Sequence, residues 1–128
     1  MAAGGLHDPS AVTLENTVRA ALEMQHYMAT RKKERHAQGK SAFEMRAGIH
    51  VGTVVAGIVG ESKFQYDIWG DAVNIANRME SNGEPGKVNI SQDAFELLQD
   101  DPDFIFESRG VIDAKGKGGM RMWFVRLA

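Results

Sequence analysis

A chain of 128 residues with 43% hydrophobic and 25% charged residues has the composition of a globular protein and the length of one domain able to bury its own core. Its net charge of −2 supplies no attraction toward nucleic acid or an anionic membrane, and the lack of cysteine excludes a disulfide framework and a thiolate metal site. No apolar run reaches membrane-spanning length and the first residues lack the layout of a signal peptide, so an intracellular, cytoplasmic domain is expected, with a membrane-anchored parent left open.

Met1 to Leu6 is small and apolar, and reads as the end of a strand. His7-Asp8-Pro9-Ser10 then makes a turn, with Asp8 or Ser10 as cap for a helix. Leu14, Val18, Ala21, Leu22, Gln25, Met28 and Ala29 recur at helical spacing and trace one face through about residue 30. The cationic run from Arg31 to His36 complements a helix C-terminus, and Gly39 closes the element. From Phe43 the pattern changes to alternation with β-branched residues. It predicts two strands, about 43–50 and 53–59, joined as a hairpin by a tight turn at Val51-Gly52. The glycines at 48, 52, 57 and 60 do not match a phosphate-binding loop, and are expected to permit a twisted hairpin or close helix packing. His50 has no second ligand at metal-binding spacing and is expected to be a structural or surface histidine.

The segment from Phe64 to Asn82 reads as a loop followed by a helix over 71–82, opening at Gly70-Asp71 with an acid suited to the helix dipole. Ala72, Val73, Ala76 and Met79 form its apolar stripe, while Asn74 and Arg78 lie four apart on the other side. An amide and a planar cation, with Asp67 just before them, suit a ligand carrying hydroxyls, phosphate and a base amino group. The same spacing also fits a solvated face on which Arg78 pairs with Glu80, Glu84 or another surface acid. Further on, Lys87 to Ile90 is a short strand, and Ser91 caps a helix to about Leu98 with Ala94, Phe95, Leu97 and Leu98 inward. Phe104-Ile105-Phe106 and Val111-Ile112 read as one strand or bent strand, and Met120 to Val125 as another. The Lys115-Gly-Lys-Gly-Gly turn between them presents two ammonium groups able to meet a polyphosphate. The elements assemble into an α+β sandwich with helices on a mostly antiparallel sheet.

Four segments carry a family resemblance: Arg46-Ala-Gly-Ile-His-Val-Gly52, Gln65-Tyr-Asp-Ile-Trp-Gly70, Val73-Asn-Ile-Ala-Asn-Arg-Met-Glu-Ser81 and Lys115-Gly-Lys-Gly118. In this order they resemble the catalytic domain of class III nucleotide cyclases, which implies a ferredoxin-like sandwich and outweighs the solvated-face reading. Such enzymes convert a nucleoside triphosphate into a 3′,5′-cyclic monophosphate and pyrophosphate by attack of the ribose 3′ oxygen on the α-phosphorus, with two divalent cations, Mg²⁺ or Mn²⁺. By position, Asp67 resembles the residue that accepts from the purine amino group, and Asn74 the one that orients the ribose. Arg78 resembles the residue that stabilises charge on the α-phosphate, and Lys115 the lysine that holds the terminal phosphates. Aspartate at position 67 resembles the adenylate type and implies ATP as substrate.

The resemblance also implies two metal-binding aspartates on strands upstream of Met1, and none of the 17 acids stands in a matching context. The expectation is a partial catalytic domain over 1–128 that lacks its N-terminal metal-binding strands, is inactive alone, and pairs as a homodimer or heterodimer, with exchange of elements open to it. The alternatives are a non-catalytic cyclase-like partner that binds nucleotide or dimerises, and a guanylate cyclase.

Overall fold

The computed structural model describes residues 1–5, 11–59, 65–114 and 118–128. The first helix, α1, runs Ala11–Ala37, a full two turns past the end its apolar stripe suggests. Its last turn carries Arg35 and His36, which favour the negative end of the helix. Gly39 then takes φ +72°, and the backbone N–H of Lys40 donates to Arg35 O across 2.8 Å. That left-handed stop is the role glycine plays best. The turn at residues 7–10 and its capping candidates lie outside the described residues, and Met1 to Gly5 has no strand structure.

After α1 come β1 (Ala47–Ile49), β2 (Val55–Val59) and β3 (Gln65–Trp69), then α2 (Asp71–Ser81), β4 (Val88–Ser91), α3 (Gln92–Leu98), β5 (Phe104–Ala114) and β6 (Gly118–Leu127). Two expectations fail here. β1 and β2 do not form a hairpin: β2 pairs antiparallel with β3, from Val55 opposite Trp69 to Val59 opposite Gln65. β1 instead lies parallel to β4, with Ala47, Gly48 and Ile49 opposite Val88, Asn89 and Ile90. The segment read as a loop before α2 is strand β3. The first error arises because β1 takes a partner distant in sequence, which the local pattern around Val51-Gly52 cannot reveal. In the second, β3 pairs locally with β2, but its polar Gln65 and its Asp67, a residue disfavoured in strands, hide it.

The main sheet has the order β1-β4-β6-β5, with β4 and β6 antiparallel and β5 and β6 antiparallel. All four residues of β4 are buried, as expected of a central strand covered on both faces. On one face α1 and α3 pack through Leu14, Val18, Ala94 and Leu98 onto Ile49, Val88, Ile90 and Val125. On the other, α2 lays Met79 against Met122, flanked by Ile75, Ile112 and Met120. The sheet's period of two explains the division: Val88 and Ile90 face α1 and α3, and Asn89 between them faces α2.

Ser91 ends β4 and caps α3, its Oγ accepting the N–H of Ala94 at 3.3 Å. Leu97 does not pack inward as expected but is 57% exposed. In β5 a bulge between Ser108 and Val111 sets Arg109 and Gly110 against a single partner residue, with Gly110 at φ +71°. Of the two forms left open for this segment, a straight or a bent strand, the bulge gives the bent one.

Candidate functional site

The site is built on α2. β3 ends at Trp69, and Gly70 turns the chain with φ +133°, a conformation that side chains rarely adopt. Gly70 is the N-cap and makes no side-chain cap bond, so Asp71 stands in the first turn rather than at the cap. There its carboxylate suits the positive helix end. Along the helix, Met79 is buried, Ile75 and Ala76 are half-buried, and Asn74 is exposed. Arg78, one turn beyond Asn74 on the same face, is half-buried.

Glu80 and Glu84 are engaged elsewhere. Glu80 pairs with Arg46 across 3.2 Å and Glu84 with Lys87 across 3.4 Å. Helix geometry adds a reason for the first, since residues two apart do not face one another. Among the described residues Arg78 has no ion pair, and its Nε is buried without a hydrogen-bond partner. A guanidinium kept free beside an exposed amide is a receptor for anionic oxygen and hydroxyl groups.

Asp67 sits in the middle of β3, opposite Gly57 and four residues ahead of the first residue of α2. The structure thus brings Asn74 and Arg78 together on one helix face and places Asp67 on the strand that feeds that helix. Lys115 lies outside the described residues.

The C-terminal end of α2 is held more firmly than its sequence suggests. The last carbonyls of a helix lack intrahelical partners, and here each finds one. Arg78 O accepts from Asn82 Nδ2 at 2.9 Å, Met79 O from Asn89 Nδ2 at 2.9 Å, Ser81 O from Arg46 Nη1 at 3.4 Å and Asn82 O from Arg109 Nη1 at 2.7 Å. Glu80 O accepts the N–H of Gly83 at 3.0 Å. Arg109 also lies 4.2 Å above the ring of Phe124, so the β5 bulge aims this side chain at the end of the helix. The sequence reading missed Asn89 and Arg109. The available signal was an amide inside the apolar run Val88-Asn89-Ile90, a pattern that demands a buried hydrogen-bond partner.

His50, just past β1, is a structural rather than a surface residue. Its Nδ1 lies 2.7 Å from Ser91 Oγ, and burial pushes its pKa below the ordinary value, with Asp93 and Asp71 opposing the shift. Because Ser91 Oγ accepts from Ala94, its own proton is available to a neutral Nδ1.

Among the described residues one group of carboxylates comes close enough to share a cation, Glu15, Asp101 and Asp103. It does not fit a pair of catalytic divalent ions. Arg19 already bonds Glu15 at 2.9 Å and Asp103 at 2.6 Å, and the group joins α1 to the loop before β5 rather than to α2. Among the described residues no helix is long and apolar enough to cross a membrane.

The family model for the adenylate and guanylate cyclase catalytic domain matches residues 1–127. An adenylate cyclase of Mycobacterium bovis is 43% identical over 105 residues, which cover 82% of this chain and 22% of the relative. The chain therefore spans about a fifth of the length of that curated relative. The guanylate cyclase domain of RhGC from Catenaria anguillulae, solved with GTP, superposes with a TM-score of 0.82 at 28% identity, over 96% of this chain and 64% of that one. The adenylyl cyclase CyaB from P. aeruginosa gives a TM-score of 0.82 at 26% identity, over 92% and 61%. The family model spans nearly the whole chain and the mixed sheet superposes on these cyclase domains, so the chain belongs to the family of class III adenylate and guanylate cyclase catalytic domains.

Proposed function

We propose that this chain supplies the ribose-orienting and phosphate-binding half of an adenylate cyclase site, which converts ATP to 3′,5′-cyclic AMP and pyrophosphate. The observation that carries the reading is Arg78, free of Glu80 and Glu84 and one turn from Asn74 on the same face of α2. The Asn74 amide bonds the ribose and holds its 3′ oxygen toward the α-phosphorus. As that oxygen attacks and the bond to pyrophosphate breaks, negative charge grows on the α-phosphate oxygens, and the Arg78 guanidinium meets it. A fixed donor aimed at developing charge is worth about 3 kcal/mol or more. Asp67 accepts from the adenine amino group, which favours ATP over GTP, and Lys115 holds the terminal phosphates.

The carboxylates that would hold two divalent cations, Mg²⁺ or Mn²⁺, are not the Glu15, Asp101 and Asp103 group, which Arg19 occupies. The metal-holding carboxylates face α2 across a head-to-tail dimer, a homodimer or a heterodimer, so that residues 1–128 act as part of a larger catalytic domain. The test is cyclic nucleotide formation by the full polypeptide that carries this chain, with ATP and with GTP. Arg78→Ala is expected to lower turnover of ATP by about 100-fold or more, and an unchanged rate would refute the role given to Arg78.

A second reading rests on the one described carboxylate group, which is occupied by Arg19: the chain belongs to a non-catalytic partner that binds nucleotide for another subunit. Binding of ATP by the full polypeptide without turnover, and turnover only on adding a second cyclase chain, would favour that reading.

A further inference from the structure

α2 rests on a two-residue platform. Gly48 of β1 and Asn89 of β4 stand opposite each other in the parallel register, and the helix crosses directly above them. A Cβ at Gly48 would lie 2.0 Å from Glu80 N and 2.3 Å from the carbonyl carbon of Met79, so the helix backbone occupies the space a side chain would need. Beside it Asn89, 0% exposed, donates through Nδ2 to Met79 O at 2.9 Å and lies 3.3 Å from Met122 Sδ. Asn89 Oδ1 is buried with no partner. Burying an unsatisfied amide oxygen is costly, and an apolar side chain would fill this methionine-lined space without that cost. What the amide adds is one directional bond, made to the carbonyl of the residue that follows Arg78.

We propose that Asn89, seated beside Gly48, is a positioning residue: its bond to Met79 O sets the height and rotation of α2 and thereby the place of the Arg78 guanidinium. The proposal rests on the role given above to Arg78. Gly48 fixes how closely the helix approaches the sheet but leaves it free to slide or turn. Arg46 and Arg109 hold the later carbonyls of Ser81 and Asn82, and Asn89 holds the carbonyl next to Arg78. The Asn89 bond removes that freedom at Met79, and the buried, unpartnered Nε of Arg78 shows that the neighbouring side chain has no bond of its own there to hold it in place. Arg78 is therefore aimed by the backbone beneath it. Because a misplacement of about 1 Å at a reacting centre costs on the order of 100-fold, loss of this one bond should appear in turnover.

The experiment is a double-mutant cycle in the full polypeptide that carries this chain, with Asn89→Ala, Arg78→Ala and the pair. Asn89→Ala is expected to lower kcat by about 10- to 100-fold with KM for ATP within about 3-fold. Combined with Arg78→Ala it should lower kcat no further, and Asn89→Gln, which keeps the donor, should recover most of the rate. A loss that multiplies in full on top of Arg78→Ala, or no loss, would overturn the proposal. If Asn89→Ala does not fold, Asn89→Leu, which refills the space without a donor, takes its place in the same cycle. A readout apart from activity is solvent exchange of the Arg78 Nε proton in ¹⁵N-arginine-labelled protein. Faster exchange in Asn89→Ala supports the positioning, and unchanged exchange overturns it even where Arg78→Ala proves to leave turnover intact. That last result would refute the catalytic role of Arg78 separately.

Discussion

Arg46 Nη2 lies 3.2 Å from Glu80 Oε1, and both side chains are 45% exposed. The pair ties α2 to the approach of β1. Exposed ion pairs contribute about 0–1 kcal/mol, so Arg46→Ala should change the urea unfolding free energy by less than about 1 kcal/mol. It should also leave turnover within about 3-fold, because Glu80 stands two residues from Arg78 and cannot reach the same face. A large loss of turnover would show that Arg46 does more than occupy Glu80.

Gly48→Ala should be far more damaging, although it adds a single methyl group. The new Cβ meets helix backbone at 2.0 Å, and backbone cannot rotate away as a side chain can. Overpacking of this kind costs about 3 kcal/mol, visible as a fall in the urea midpoint at unchanged slope. A neutral Gly48→Ala would mean that α2 sits higher above β1 than described.

The methionine pair beneath α2 gives a contrasting case. Met79 and Met122 are both fully buried, and Met122→Ala should cost about 2–5 kcal/mol by lost transfer energy and cavity formation. Met122→Leu conserves most of the volume and should cost less than about 1.5 kcal/mol.

His50 makes stability depend on pH in a defined direction. Burial lowers its folded pKa below the ordinary 6.5, so at mildly acidic pH the unfolded chain binds a proton that the folded chain refuses. This contribution is complete above 6.5 and is lost as pH falls from there through the lower folded value. His50→Gln should flatten that part of the stability profile. Ser91→Ala removes both the hydroxyl beside His50 and the cap of α3, and should cost about 1 kcal/mol above pH 7. A steeper acid loss in His50→Gln would contradict the assignment.

The sequence made the helices legible because their signals are local. Ser91 capping α3, Gly39 ending α1 and the Met79 stripe of α2 all depend on neighbours within a turn or two. The strands were less legible because pairing is decided at a distance. Val51-Gly52 looked like a hairpin turn, whereas Ile49 pairs with Ile90 and Val55 with Trp69. Gly48 could be read as permissive, but only the crossing of α2 shows that its missing side chain is what admits the helix. At the candidate site, Asn74 and Arg78 could be placed together by their spacing alone. That Arg78 has no ion pair among the described residues shows only in the three-dimensional structure. Asn89 was overlooked because its partner, Met79 O, belongs to the backbone.

The most direct test of the account is complementation. This chain would be mixed with a longer cyclase polypeptide that carries metal-binding strands but lacks the arginine equivalent to Arg78, and cyclic AMP formed from ATP with Mn²⁺ would be measured. The account predicts no product from either component alone, product from the mixture, and none when the chain carries Arg78→Ala. Product from this chain alone, or equal rescue by the Arg78→Ala chain, would contradict it.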